Sequence, residues 1–515
     1  MGRSNPVGFT PKPDLTLYQE RRDLCDNGAG RAHWWRDGAD VRERWDVVVV
    51  GSGPNGLAAA VTLAAAGRSV LVLEGNATPG GGTRTEALTL PGFRHDVCSA
   101  VHPLGGGSPA FSRWPLERHG LRWLHHDIPL VHPLDDGRAG VLRHSLEETA
   151  AGLGADGDAY RAMMGPLSDN WPKLADAFLG PMLRVPRHPV VLARLGLAGI
   201  TPATMVSDRY FATPEAGALL AGNAAHSFLP LNRPLTTALA LALMAPAHQS
   251  GWPIAAGGSA AISAALLGYL HELGGEIRCD TTVRTLGDLP PHDVAIFDTD
   301  AAALAAIAGA AIPRRVRRSF AGRRRGPGVF KVDWALDGPV PWTNPDAHLA
   351  STVHLGGTAA EIAAAEAEVV RGRNPARPFV LAAQPATVDP TRAPAGKAVL
   401  WGYCHVPNGS TEDRTDAIEA QIERFAPGFR DLILARAVRS PHDLAADNPN
   451  HPGGDITGGS LAGLGLIARP RLTPHPYATG NPGIWLCSAS TPPGAGVHGM
   501  CGWNAAQAVL AGTPA

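Results

Sequence analysis

Residues 46–84 constrain this chain more than any other stretch. Asp46 to Val50 read as a short apolar strand, followed by Gly51-Ser52-Gly53-Pro54-Asn55-Gly56. An Ala-rich helical stretch ends at Gly67, and a second apolar run, Ser69 to Leu73, stops at Glu74. A strand before the glycines, a helix after them and an acid eighteen residues past Gly56 make a dinucleotide-binding βαβ unit. Gly51 permits the tight turn, Gly53 lets the backbone approach a pyrophosphate, and Gly56 lets the helix pack on the strand. The helix opens at Pro54 and Asn55, so its unpaired N–H groups and positive dipole end face the phosphates. Glu74, followed by Gly75, is placed to accept hydrogen bonds from ribose hydroxyls, and its charge repels the 2′-phosphate of NADP.

A second glycine turn, Gly80-Gly81-Gly82-Thr83-Arg84, begins six residues after Glu74. A second glycine turn so soon after the acid resembles the extended pattern of the two-dinucleotide-binding-domain flavoproteins, which implies FAD rather than NAD; its backbone and Arg84 are placed to meet the pyrophosphate from the other side. No second complete strand–GxGxxG–acid unit exists, so a separate NAD(P)H domain is not expected. A flavin here is expected to be reduced by substrate and reoxidised by dioxygen, a quinone or another carrier.

A chain of 515 residues is too long for one core, so two or three domains are expected. A net charge of −1 with 18% charged residues gives no global basic field, which argues against nucleic acid. Six scattered cysteines form neither CxxC nor a zinc spacing, so no metal site and no flavin disulfide reductase is expected. Reduced thiols and a cytoplasmic location fit this usage. The first 45 residues lack an apolar signal-peptide core, and no run of 18 apolar residues could span a membrane. His125-His126 reads as a solvated pair.

The fold class expected is α/β: a discontinuous Rossmann-type domain plus a substrate domain with an antiparallel sheet and a helical cap. Residues 1–45 form an N-terminal extension. Residues 46–130, 251–312 and 455–515 make the nucleotide domain, and 131–250 with 313–454 make the substrate domain. Strands are expected at 276–279, 294–297, 329–336, 379–383, 399–405 and 483–487, and helices over 415–425 and 503–511. Residues 145–245 carry helical stretches broken by prolines. The strand 483–487 leads into a small-residue turn, Ser488 to Gly499, that opens the last helix; there a helix N-terminus can stabilise charge on a flavin's N1–C2=O edge.

These motifs resemble the phytoene-desaturase-like, carotenoid-isomerase-related flavoproteins of the flavin amine oxidase superfamily. The resemblance covers about residues 46 to 511. It rests on Gly51–Glu74, Gly80–Arg84, Leu90-Pro91-Gly92-Phe93 with Asp96 and Ser99, Gly257-Gly258, Gly453-Gly454-Asp455-Ile456, and Leu486–Gly499 with Asn504-Ala505-Ala506. It implies noncovalent FAD beneath a substrate domain, and a hydrophobic small-molecule substrate. Carried over, Gly51, Gly53, Gly56, Glu74, Gly81, Arg84, Val283, Ser490 and Val497 touch FAD. Pro54, Asn55, Gly75, Gly82, Thr83, Gly496 and His498 complete the cofactor set. Ser488 stands where many relatives have glycine.

Lysine is scarce: Lys12, Lys173, Lys331 and Lys397. Lys331 interrupts the apolar run Gly328–Leu336, on the face opposite Phe330 and Val332. Amine oxidases of the superfamily carry a lysine in a similar strand, water-bridged to flavin N5; the alternative is a lysine on the wet side of the sheet. His498 and His95 are the further acid/base candidates. Seven arginines between Arg314 and Arg325 read as a solvated face, or as a contact for anionic lipid or an acidic carrier protein. The function favoured is an FAD-dependent dehydrogenase or oxidase forming C=C or C=N bonds. The alternatives are a redox-neutral flavin isomerase and a flavin-bearing assembly partner without turnover.

Overall fold

A computed structural model describes residues 43–181, 183 and 188–513. Residues 1–42, most of the expected N-terminal extension, lie outside the described residues. In chain order the longer strands are β1 (Trp45–Val50), β2 (Val70–Leu73), β3 (Ile128–Pro133), β4 (Ala139–Leu142), β5 (Glu276–Arg278), β6 (His292–Phe297), β7 (Gly328–Leu336), β8 (Ala350–Leu355), β9 (Val380–Ala383), β10 (Ala398–Val406), β11 (Ile433–Arg439), β12 (Ala478–Asn481) and β13 (Ile484–Leu486).

The first sheet has the order β12-β13-β6-β1-β2-β5, and every pair except β12·β13 is parallel. β1 and β2 are unbroken apolar runs because both faces of a parallel sheet are covered. Val47, Val49, Val70 and Val72 pack with Leu57, Ala60 and Leu63 of the fingerprint helix Pro54–Ala65. Val48, Val50, Leu71 and Leu73 pack with Leu304 of the helix Ala301–Ala308 and with Val316 and Phe320 of the helix Arg314–Ala321.

The second sheet has the order β11-β7-β10-β9-β8-β3-β4. The parallel pair β3·β8 makes it mixed, which corrects the expectation of an antiparallel sheet. β7, β9 and β10 lie within a residue or so of their expected positions. β3, β8 and β11 are harder to read: β3 holds Pro129, His132 and Pro133, β8 holds Ser351, Thr352 and His354, and β11 is a half-exposed edge bearing Arg436 and Arg439. One face of this sheet is apolar, with Val332, Trp334, Leu400, Cys404 and Val353 packed against Ile418 and Ile422 of the helix Thr415–Phe425. Alternation puts Lys331, Asp333, Trp401, Tyr403, His405 and His354 on the other face. Between β4 and residue 247 the described residues form helices, as a helical cap requires.

The two ends of the described chain meet where the helix Met500–Leu510 crosses the fingerprint helix. A Cβ at Gly502 would stand 1.7 Å from the Asn55 carbonyl oxygen and 2.9 Å from the Ala59 nitrogen. This helix starts at Met500 rather than Trp503, because Gly499 turns the chain at φ +66° and His498 Nδ1 accepts the Met500 N–H at 3.0 Å. A methyl at Gly502 must drive the helices apart. Gly502→Ala is expected to destabilise by about 3 kcal/mol, the upper part of the overpacking range. Gly196, in the helix Pro189–Gly199, would carry a Cβ with nothing within 4 Å. Gly196→Ala should hold or raise the thermal midpoint, and Gly502→Ala should lower it; equal midpoints would contradict the close crossing.

Candidate active site

The fingerprint turn is held to glycine by its neighbours. Gly51 has φ +99°, and a Cβ there would lie 2.8 Å from the Asp298 carbonyl oxygen. A Cβ at Gly56 would lie 2.1 Å from the Gly51 carbonyl oxygen. At Gly53 a Cβ would meet the Asp298 Oδ2 at 2.5 Å, so this position is closed from beneath as well as being needed for close approach from above. The helix that follows has no acid of its own in its first turn and no cap from its N-cap residue Gly53; the Gly56 N–H donates instead to Asp298 Oδ2 at 2.8 Å. Pro54 and Asn55 open it, and the Asn55 Oδ1 is buried without a hydrogen-bond partner.

The second glycine turn touches the first. Gly81, at φ +55°, would place a Cβ 3.1 Å from the Gly53 Cα. Gly82 packs beside Cys98, and Thr83 Oγ1 donates to the Gly80 carbonyl at 2.7 Å. Glu74 is fixed at the end of β2: Oε2 accepts from the Ser52 N–H at 2.9 Å and hydroxyl at 2.5 Å, and Oε1 accepts from the Asn76 N–H at 2.9 Å. Gly75 lies against Thr282, and the loop bearing Val283 is tied back where Thr281 N–H donates to the Glu74 carbonyl at 2.8 Å. A helix N-terminus, two glycine turns in contact and a fixed acid therefore share the carboxyl end of the parallel sheet, and they fit a dinucleotide there.

Arg84 is already engaged: its guanidinium pairs with Asp447, lies 3.5 Å from Glu86, and donates through Nε to the Gly81 carbonyl at 3.1 Å. Ser490 Oγ accepts the Ala301 N–H at 3.3 Å, so it serves the turn's own architecture. Gly496 has φ +133°, and the Val497 carbonyl oxygen would stand 2.8 Å from a Cβ on Gly105. Ser108 Oγ donates to the His498 carbonyl at 2.6 Å. His498 is fully buried, its Nε2 has no partner, and burial pulls its pKa down to about 4. It is a neutral imidazole capping the last helix. Arg469 bridges the Thr457 carbonyl and, at 2.7 Å, the Ala489 carbonyl, with burial lowering its pKa to about 9.

Across from this cradle the second sheet presents charge in its interior. Lys331 is 2% exposed, which excludes the wet side of the sheet. Its Nζ pairs with Asp333, two residues along the same strand face, and lies 5.6 Å from the Trp401 ring centroid. Burial pulls Lys331 down and pushes Asp333 up, and their mutual attraction opposes both shifts. The countercharge that offsets the lysine's desolvation is thus Asp333. Asp333 Oδ1 has no hydrogen-bond partner and lies 3.8 Å from His95 Nδ1. His95 Nε2 meets the Thr89 hydroxyl at 2.7 Å, and burial, helped by Lys331 and Arg392, lowers its pKa to about 3. His95 is therefore held neutral. Beside it, Asp96 accepts from Arg392 at 2.7 Å, Ser259 N–H at 2.8 Å and Thr85 Oγ1 at 2.9 Å.

On the same face, His405 Nδ1 donates to Glu366, 2.8 and 2.9 Å from its two oxygens. His405 Nε2 is buried without a partner. Phe228 stacks on the imidazole at 3.9 Å between centroids and holds φ +55°, a strained conformation for a bulky residue. Sequence reasoning missed Asp298, Asp333, Arg392, Arg469 and the Glu366–His405 pair. Asp333 was legible, since two positions along a strand share a face. Glu366 and His405 lie 39 residues apart on a helix and a strand, and no local pattern joins them. The reading of His125-His126 as a solvated pair is half right: His125 is exposed, whereas His126 is buried with Nε2 at 3.1 Å from the Gln384 carbonyl. Among the described residues no group of three His, Cys, Asp or Glu could hold a metal ion, and no helix is long and apolar enough to cross a membrane.

Residues 49–114 match the family of NAD(P)-binding Rossmann-like domains. The chain is 25% identical over 91% of its length, and 94% of the relative's, to pyridine nucleotide-disulfide oxidoreductase domain-containing protein 2 of Mus musculus. It is 28% identical over 34% of each chain to one of the subunits of limonene dehydrogenase from Castellaniella defragrans. Cyclohexylamine oxidase from Brevibacterium oxydans superposes with a TM-score of 0.56 at 16% identity, covering 91% of this chain and 99% of that one. The architecture is that of flavin-type oxidoreductases.

Buried neutral imidazoles give the fold an acid limit. His95 and His226 titrate near about 3 in the folded chain, and His102, His126, His132 and His498 near about 4. Unfolded, each takes up a proton near about 6.5. The unfolded state thus binds more protons below that pH, so stability is full above it and falls as the solution is acidified towards the folded values. Asp298, raised to about 7 by burial, and Asp333, also raised by burial, act oppositely but are two groups against six. The thermal midpoint should drop steadily from neutral pH to about pH 5; a flat profile would show that these imidazoles are hydrated.

Proposed function

We propose that this chain is an FAD-dependent dehydrogenase or oxidase that removes a hydride and a proton from a hydrophobic small molecule to form a C=C or C=N bond. The observation that carries the reading is the convergence of both glycine turns and the C-terminal turn on one cradle, facing a sheet that buries Lys331 and Asp333. Gly51, Gly53, Gly56, Glu74, Gly81 and Val497 would hold the FAD noncovalently, and bound FAD supplies a hydride acceptor at N5. Asp298 sits under the phosphate-binding turn with its pKa raised to about 7 by burial, so a nearby pyrophosphate is met by a carboxyl that readily becomes neutral.

The chain's own groups divide the remaining work. Lys331 places a cation on the substrate face, held by Asp333 and by the Trp401 ring. His405, oriented by Glu366, offers an unpaired Nε2 that takes the departing substrate proton. Phe228, Trp401 and Tyr403 give that face an apolar lining, which suits a hydrophobic substrate. The similarity to limonene dehydrogenase and the amine oxidase architecture support the same chemistry.

FAD-loaded protein, mixed anaerobically with limonene, phytoene, cyclohexylamine or putrescine, should bleach with at least one of them and only slowly with NADH or NADPH. Rapid bleaching by a nicotinamide alone would overturn the reading. Lys331→Met would strand Asp333 as a buried charge, at a cost of about 3–5 kcal/mol. Lys331→Met with Asp333→Leu removes both charges and isolates the role of the cation. This double variant should reoxidise in dioxygen at least about tenfold more slowly, a loss of ~1.4 kcal/mol of transition-state stabilisation. Unchanged reoxidation would leave the Lys331–Asp333 pair a structural feature and favour a quinone or carrier as acceptor.

A further inference from the structure

The arginine-rich segment 314–325 does not behave as one solvated face. Arg325 forks onto Asp300 at 2.6 and 2.8 Å. Arg323 donates to the carbonyls of Gly458 at 3.1 Å and Ala468 at 3.3 Å. These two are structural. The helix Arg314–Ala321 turns Val316 and Phe320 inward and leaves Arg314, Arg315 and Arg318 exposed, with Arg317 half-buried and Arg324 exposed just beyond. Among the described residues none of these five is paired with a carboxylate.

The loop following Gly458 is fastened to the same surface. Arg323 holds it from beneath, and Ser460 N–H donates to the Arg324 carbonyl at 2.9 Å. Further along, Arg471 lies close enough to Arg315 for their charges to repel. This loop exposes two large apolar side chains, Leu464 at 64% and Leu472 at 61%. Unpaired arginines therefore adjoin a loop that exposes two leucines, in a chain whose net charge is only −1. Repulsion among the cations and hydration of the leucines both disfavour leaving it bare.

We propose that this surface docks on an anionic lipid bilayer, with Leu464 and Leu472 entering the headgroup boundary and Arg314, Arg315, Arg317, Arg318 and Arg324 among the lipid phosphates. Apolar insertion combined with cationic attraction is the signature of peripheral membrane binding. An acidic protein would satisfy the arginines but gives no account of the two leucines. The inference is independent of the redox reading.

The test is co-sedimentation of the full-length protein as purified with phosphatidylcholine vesicles, with and without phosphatidylglycerol. Binding is expected only to the anionic vesicles, weakening as salt is raised. Arg315→Glu with Arg318→Glu should lower partitioning roughly tenfold or more. Leu464→Ser with Leu472→Ser should remove the portion that survives high salt. Both variants should keep the wild-type thermal midpoint, because all four side chains are exposed. Absence of binding to either vesicle, equal binding to both, or indifference to the arginine changes would overturn the proposal. So would salt-sensitive capture by polyglutamate that the leucine variant leaves intact, which assigns the surface to an acidic protein. A dimer in light scattering that the leucine variant dissolves, without vesicle binding, would assign it to a second copy.

Discussion

The carbonyl of Asn55 reaches into the space left by the missing side chain of Gly502. That crossing joins the first turn of the fingerprint helix to the first turn of the last helix, across more than four hundred residues of chain. The Gly51–Gly56 turn leads into one of these helices and the Ser488–Gly499 turn into the other, so the crossing sets the distance between the two turns. Hydrogen bonds from Ser108 to His498 and from Arg469 to Ala489 then hold the C-terminal turn against the floor so formed. Without a Cβ-free site at residue 502 the helices stand further apart, and the cradle has no far wall.

The opposite wall is electrostatic. Lys331 with Asp333 and Arg392 with Asp96 are buried ion pairs, and such pairs seldom repay the desolvation of their charges. An apolar sheet face would be at least as stable. Their presence, together with a strained Phe228 and an unpaired His405 Nε2, is what a chemical site looks like when its groups are compensated by one another instead of by water. His95 and His498, reasonable acid/base candidates by position, are held neutral: burial dominates both, and at His95 the nearby cations Lys331 and Arg392 add to it.

What the sequence disclosed follows from the range of each interaction. The βαβ unit was legible because turn, helix and acid lie within thirty residues and each glycine has a local steric reason. β7 and β10 were legible because nine-residue apolar strands stand out. β3 and β8 were not, since their histidines, prolines and hydroxyls are buried by neighbours that no local pattern reveals. Lys331 was visible as an anomaly, whereas its ion pair with Asp333, two residues along the same strand, was passed over. The Glu366–His405 pair exists only once a helix has folded over a sheet.

The central claim is that this cradle takes FAD. The most direct measurement is titration of flavin-stripped protein with FAD, followed by quenching of flavin fluorescence, beside parallel titrations with NADH and NADPH. The account predicts saturable binding of FAD, release of all the flavin into the supernatant on acid precipitation, and loss of binding in Gly53→Val, whose side chain would be driven into Asp298. Tight binding of a nicotinamide dinucleotide with none of FAD would contradict it.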